Sequence, residues 1–220
     1  AGACRGGGTM SVDQALAPYG VSRETRERLE VLAALLAKWN PKINLVAKGT
    51  VEAVWTRHIA DSAQVYGLAP PEARSWIDLG SGGGFPGLVI GAMAAEKNPG
   101  LDLALVESDV RKCAFLSTAA GEMGLKIRVL PRRIEAVEPG PRDVISARAL
   151  ASLDKLLGFA EPLAGPGTIC LFPKGAGAAG ELTEAAANWH IRHRAHPSRT
   201  DPDAVILEIQ EFSRGPLQRT

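Results

Sequence analysis

The sequence predicts an α/β fold: a doubly wound, largely parallel sheet of seven strands that ends in an antiparallel hairpin and carries an N-terminal helical appendage. Three observations predict it. From Arg74 onward, short apolar runs alternate with helical patterns, the signature of βαβ units. At Trp76–Gly87 one such run enters a cluster of glycines and then a helix. Before position 67 the apolar residues instead recur at helical spacing, with no strand-like run between them.

Taken in order, Ser11 and Gln14 read as a capping box for a short helix that stops before Pro18. Ser22 caps a longer helix, Arg23 to about Trp39, with Leu29, Leu32, Leu36 and Trp39 on one stripe and Asn40-Pro41 as its end. Thr50 is expected to cap a third, Val51 to about Val65, with Val54, Trp55 and Ile59 on the apolar side. Five strands follow at Ser75–Leu79, Leu101–Val106, Ile127–Leu130, Val144–Ala147 and Thr168–Phe172. Helices near 87–96, 109–121, 152–160 and 177–189 separate or follow them, and right-handed crossovers distribute helices over both faces. Ile191–Ala195 and Val205–Phe212 are joined by a segment too short for a helix, so they pair as a hairpin at one edge. Residues 10–73 form the appendage and 74–214 the sheet domain, packed as one unit. Ala1–Thr9 precede Met10 and have no apolar core of a secretory signal; they read as an expression remnant or an unstructured lead.

Composition narrows the functional classes. The chain of 220 residues has 25 basic and 24 acidic residues, so no whole-molecule field grips nucleic acid and any RNA contact must be local. Cys4, Cys113 and Cys170 are odd in number and far apart, which fits no disulfide framework and suits a reducing cytoplasm. No apolar run is long enough for a membrane span. His190, His193 and His196 fall on a strand, where alternate residues face opposite sides, so no metal site is expected.

The glycine segment carries the chemistry. A strand end followed by glycines and a helix start is where open α/β sheets bind nucleotides. Gly82-Gly-Gly84-Phe-Pro-Gly87 satisfies the dinucleotide pattern, and Glu107 ends the next strand at the place for a ribose-binding carboxylate. Two features oppose a pyrophosphate ligand. Asp78 places a carboxylate just ahead of the glycines, which suits the ammonium and sulfonium of S-adenosylmethionine better than an anion. Pro86 removes one of the backbone N–H groups a phosphate cradle uses. There is no GxxxxGK[ST] segment, which excludes a P-loop.

Together these residues resemble a known family. Asp78-Leu-Gly-Ser-Gly-Gly-Gly-Phe-Pro-Gly87 resembles the first motif of the bacterial RsmG/GidB family, methyltransferases that act on guanine N7 of small-subunit (16S) rRNA. Asn40-Pro-Lys-Ile-Asn-Leu45, Arg57-His-Ile-Ala-Asp-Ser62, Arg133-Ile-Glu135, the stretch from Ser146 through Arg148 to Leu153, and Lys174-Gly175 match further segments in the same order, over about residues 22–212. Asp203 departs from the pattern, which has a basic residue before the last strand. The resemblance implies a Rossmann-like, S-adenosylmethionine-dependent methyltransferase domain. It implies that Gly80 and Phe85 contact the methyl donor, that Ile134 and Glu135 flank its adenine, and that Arg148 closes the same site. Asp78, Gly82, Gly84 and Glu107 join that set from the charge, glycine and ribose arguments.

Guanine N7 has a free lone pair and no proton to lose, so transfer needs no general base and rests on proximity and orientation. An Arg or Lys donating to guanine O6 would help, and Arg148 and Lys174, just past two strand ends, are the candidates. From Arg111 to Arg148 eight basic residues face four acidic ones, a local strip suited to phosphates. The expected RNA contacts are Arg57, His58, Arg111, Lys112, Arg132, Arg133 and Lys174, with 16S rRNA or the small ribosomal subunit as partner of a monomeric protein. The competing readings are a methyltransferase of a small molecule or protein, an NAD-dependent oxidoreductase favoured by the literal glycine pattern, and a binding protein without catalysis.

Overall fold

The fold is that of a computed structural model, which describes residues 12–215. The expected Ser11 cap and the nature of 1–9 lie outside the described residues.

The appendage begins with α1 (Val12–Leu16), which tightens into a 3-10 turn at Ala17–Tyr19, followed by the long α2 (Arg23–Ile43). Ser22 caps α2 as expected, its hydroxyl accepting the Thr25 amide. The helix does not end at Asn40-Pro41: Pro41 lies inside it. A proline so near the end removes few bonds, and buried Asn40 holds the last turn, its carbonyl accepting from Asn44 N and its side chain from Val46 N.

The third helix also departs from its expected form. Thr50 ends a 3-10 turn at Lys48–Thr50 rather than capping a helix at Val51. Its hydroxyl donates to the Ala47 carbonyl and meets His58 Nε2, so it is not available to cap amides. Helix resumes as a π-helical turn at Trp55–Ala60, continuous with α3 (Asp61–Gly67).

The sheet matches the strand pattern within about two residues: β1 (Ser75–Leu79), β2 (Asp102–Glu107), β3 (Arg128–Pro131), β4 (Val144–Ala147), β5 (Ile169–Lys174), β6 (Trp189–Pro197) and β7 (Val205–Arg214). The order is β3-β2-β1-β4-β5-β7-β6. β7 runs antiparallel to both its neighbours and so fills an inner place between β5 and β6. The intervening helices are α4 (Gly87–Lys97), α5 (Val110–Glu122), α6 (Leu153–Ala160) and α7 (Ala178–Ala185).

Strand alternation sorts the core into two layers. Trp76, Leu103 and Leu105 face Leu29, Leu32 and Leu36 of α2, Leu88 and Ile90 of α4, and Phe115 of α5. Ile77, Ala104 and Val106 face the opposite side with Leu153, Leu156 and Leu157 of α6. The appendage therefore packs into the same core as α4 and α5. Cys113 and Cys170 are buried free thiols. No helix among the described residues is long and apolar enough to cross a membrane.

Candidate functional site

The strand order reverses between β1 and β4, and a cavity of about 560 Å³ opens at the carboxyl ends of β1, β2 and β4. The loop from Gly80 to Pro86 forms its base. Ser81 N donates to the Val106 carbonyl, which ties the loop to β2. Gly82 sits at φ +50, a left-handed turn, and this aims its N–H at Glu107 Oε2, 2.9 Å away. Gly83 passes so close to the appendage that a Cβ on it would lie 2.9 Å from the Leu45 carbonyl oxygen.

Seven of the residues expected to hold a nucleotide-like ligand line this cavity together: Gly80, Gly82, Phe85, Glu107, Ile134, Glu135 and Arg148. Two do not. Gly84 turns inward against Leu88 and Leu116. Asp78 lies beneath the loop with no exposed surface. Its Oδ1 accepts from the Ser146 hydroxyl, Ser146 in turn accepts from Trp76 Nε1, and Oδ2 has no partner. The charge argument that placed Asp78 in direct contact with a cationic ligand is therefore corrected. Asp78 shares the face of β1 that Trp76 turns into the core, and the start of α4 closes over it, with Gly87 packed against its carboxylate. Burial pushes its carboxyl up to about 6, against the hydrogen bond from Ser146, the nearby Ser81 hydroxyl and the charge of Arg148.

Glu107 is buried and heavily engaged. Besides Gly82 it accepts the amides of Ser108 and Asp109, both at 2.8 Å, so one carboxylate shapes the glycine loop and the start of α5 at once. Lys112, Arg132 and Arg133 stand on the cavity wall, as the basic strip suggested, while Arg111 points outward and pairs with Asp109 at 3.2 Å.

A second cavity, about 420 Å³, adjoins the first across Arg148, Ala149 and Ala151. The appendage gives one wall, with Arg57, His58 and Asp61. The β6–β7 turn gives another, with Ser198 and Asp201, and the end of β5 supplies Lys174.

Arg148 stands between the two cavities. Its Nη1 donates to His58 Nδ1 at 2.9 Å and to the Arg57 carbonyl, and its guanidinium lies 5.3 Å from the centre of the Phe85 ring. Because arginine only donates, His58 Nδ1 accepts, and its Nε2–H then donates to Thr50, whose own proton goes to Ala47. Burial, then the charges of Arg148 and Arg57, push the imidazole down to about 3. His58 is thus corrected from an RNA contact to a buried, neutral support, stacked on Phe85 at 5.0 Å. Lys174 is corrected in part: it lines the second cavity, but its ammonium is engaged by the Ala151 carbonyl and Glu181, and its side chain is 9% exposed.

Residues the sequence reasoning missed include Leu45 and Lys155 in the first cavity and Thr50, Ser198 and Asp201 in the second. Leu45 stood inside a quoted segment and could have been found there. Ser198 and Asp201 sit in a polar turn with no distinguishing pattern. Among the described residues no group of three His, Cys, Asp or Glu side chains is placed to hold a metal. A further cavity at the opposite end of β1 is lined by Tyr66, Trp76 and Leu101 and lies away from the glycine loop.

Comparison with known proteins adds to this geometry. Residues 25–201 match the family model GidB, described as rRNA small subunit methyltransferase G. A ribosomal RNA small subunit methyltransferase G of Cereibacter sphaeroides is 48% identical over 204 residues, spanning 93% of this chain and 99% of that protein. The protein of the same description from Paramagnetospirillum magneticum is 49% identical over 209 residues, 95% of this chain and 100% of its own. Among solved structures, an O-methyltransferase from Bacillus cereus in complex with SAH superposes with a TM-score of 0.55 at 16% identity, covering 92% of this chain and 98% of that one. The mitomycin 7-O-methyltransferase MmcR gives 0.56 at 15% identity, covering 93% and 73%. At such identities the structures show a shared Rossmann-like fold.

Proposed function

This chain belongs to the GidB family of small-subunit rRNA methyltransferases, and on that premise we propose that it transfers a methyl group from S-adenosylmethionine to N7 of a guanine in 16S rRNA. The observation that carries the reading is the pair of adjoining cavities that share Arg148 at the carboxyl end of β4. One has the glycine loop and acids that suit a nucleoside; the other has room for a base beside it.

The residues present fit the donor. Glu107 stands at the end of β2, where the lone pair left on its Oε2 can accept a ribose hydroxyl. Ile134 and Glu135 offer an apolar and a polar edge to an adenine, and Gly80 and Gly82 let the backbone approach the amino-acid portion. The donor supplies an electrophilic methyl group on a sulfonium. Asp78 does not touch it but places a proton-bearing or anionic group under the loop, where a nearby cation favours the ionised form.

The protein's own contribution is positional. Arg148 is held by His58 and Phe85, so its remaining N–H groups keep a fixed direction at the junction of the cavities, where one can reach guanine O6. His58 is neutral and already accepting, which matches a nucleophile that has no proton to give up. Lys112, Arg132 and Arg133 on the first cavity's wall, with exposed Arg111 and Arg57 nearby, supply the phosphate contacts. The protein acts in the cytoplasm as a single chain.

The test offers S-adenosylmethionine labelled in its methyl group with unmethylated small subunits, naked rRNA and a protein extract. Label in rRNA, at a base cleaved by chemistry specific for N7-methylguanine, is the expected result. Label in protein alone, or none despite donor binding, would exclude the rRNA activity.

A further inference from the structure

Resting on the guanine reading above, we propose that the second cavity seats the target base and that Asp61 Oδ2 selects guanine by accepting a hydrogen bond from its 2-amino group.

Asp61 begins α3 and lines the cavity from the appendage side. Its two oxygens are treated differently by the fold. Oδ1 accepts from the hydroxyls of Ser198 and Thr200 in the β6–β7 turn. Oδ2 has no hydrogen bond from the described residues. The turn that holds Oδ1 is itself fixed, because Ser198 Oγ accepts the amides of Thr200 and Asp201, each at 3.2 Å. The carboxylate is therefore locked in place with one acceptor oxygen to spare. Burial raises the pKa of this carboxyl above the usual carboxylate value, opposed by the hydrogen bonds from Thr200 and Ser198 and by the charges of Arg148 and Arg57. Neither takes Oδ2 in a salt bridge: Arg57 faces Asp201 at 3.8 Å, and Arg148 donates to His58.

A spare carboxylate oxygen in a base-sized cavity selects for N–H donors. Among the four RNA bases only guanine places donors on adjacent atoms of its Watson–Crick edge, at N1 and at the 2-amino group. Unpaired bases are commonly read on that edge. N7 lies on the other ring of guanine. A base whose Watson–Crick edge meets Asp61 therefore directs N7 away from the appendage wall, toward Arg148 and the shared opening to the first cavity. The same contact thus selects the base and orients the nucleophile.

The variant D61N tests this. Asn keeps the acceptor oxygen that Ser198 and Thr200 use but presents an NH₂ group where Oδ2 stood. Small subunits are assembled with either guanine or inosine at the base that the wild-type enzyme methylates. Inosine keeps N7, O6 and N1–H and lacks only the 2-amino group. With wild-type enzyme, kcat/KM is expected to fall about 10–100-fold from guanine to inosine. In D61N, activity on guanine falls by a similar factor, the guanine-to-inosine ratio drops to about 1, and S-adenosylmethionine affinity stays within about twofold. A wild-type enzyme that methylates inosine as fast as guanine overturns the proposal without recourse to any variant. So does a D61N enzyme that keeps the wild-type ratio. Donor binding without methyl transfer to any rRNA would instead overturn the guanine reading, and this inference with it.

Discussion

Asp78 and Glu107 are both acids at strand ends beside one glycine loop, yet the fold uses them in opposite ways. Glu107 accepts three backbone amides and has one lone pair, on Oε2, to spare for a ligand. Asp78 has one orphaned oxygen and no access to the cavity. Their positions were legible, because each ends a strand whose period and length are plain in the sequence. Their surroundings were not, because those depend on what covers each face of the sheet, and the start of α4 at Gly87 closes over Asp78. A prediction follows from the pKa. The Asp78 carboxyl is raised from 3.8 to about 6, so folding binds a proton that the unfolded chain releases. This contribution to stability is fully present below pH 3.8 and is lost as pH rises through about 6. Relative to an Asp78→Asn variant, the wild type should lose about 2–3 kcal/mol between pH 4 and 7.5 in urea unfolding. A difference that stays constant with pH, or grows, would show that the buried carboxyl does not titrate as described.

Among the elements, the strands and the first three sheet-domain helices follow the apolar periodicity closely, while α7 stops at Ala185 rather than near 189, where Trp189 already begins β6. The appendage followed it less well. The stretch from Val51 to about Val65 reads as one helix capped by Thr50, but Thr50 is drawn into bonds with Ala47 and His58, and a 3-10 turn before it and a π-helical turn within it result. Nothing in local sequence announces that His58 will be needed by Arg148, ninety positions later. The glycine loop is the opposite case: its turn chemistry is local, and strand, glycines and helix appear in reading order. Its contact with the appendage gives a second prediction. Gly83→Ala would press a methyl group against the Leu45 carbonyl, with 2.9 Å to the oxygen and 3.2 Å to the carbon. Backbone cannot yield as a flexible side chain does, so stability should fall by about 1–3 kcal/mol, and donor affinity with it. Thermal melting and donor titration calorimetry read both, and unchanged values would mean that the two segments do not need to touch.

At the scale of the whole molecule, residues before Arg74 behave as part of the sheet domain's core. Leu29, Leu32 and Leu36 are fully buried in the cluster that holds Leu88, Ile90 and Phe115, and Arg57, His58 and Asp61 wall the second cavity. A chain starting at Arg74 should therefore expose one face of α4 and α5, bind hydrophobic dyes and melt without a cooperative transition. A truncated protein that melts cooperatively and binds the donor would show the two parts to be independent. The first cavity was legible at this scale because a topological switch point follows from the βαβ pattern. The second was not: Asp61 reaches Ser198 and Thr200 across 137 and 139 positions. Such contacts exist only once the chain has closed on itself.

The place of β7 adds a matter of timing. It leaves the ribosome after β6, yet it lies between β5 and β6, and the turn before it touches α3 through Gln64, which bonds Pro197 O and Arg199 N. Until that strand emerges, β5 has a bare edge and the appendage wall faces open solvent. A nascent chain can thus shape its glycine loop well before the second cavity exists. Closing contacts so distant in sequence is slow compared with forming local helices. A chain stopped short of Val205 would lack Val205 and Ile206 from the lining of the second cavity and Leu207 and Ile209 from the core.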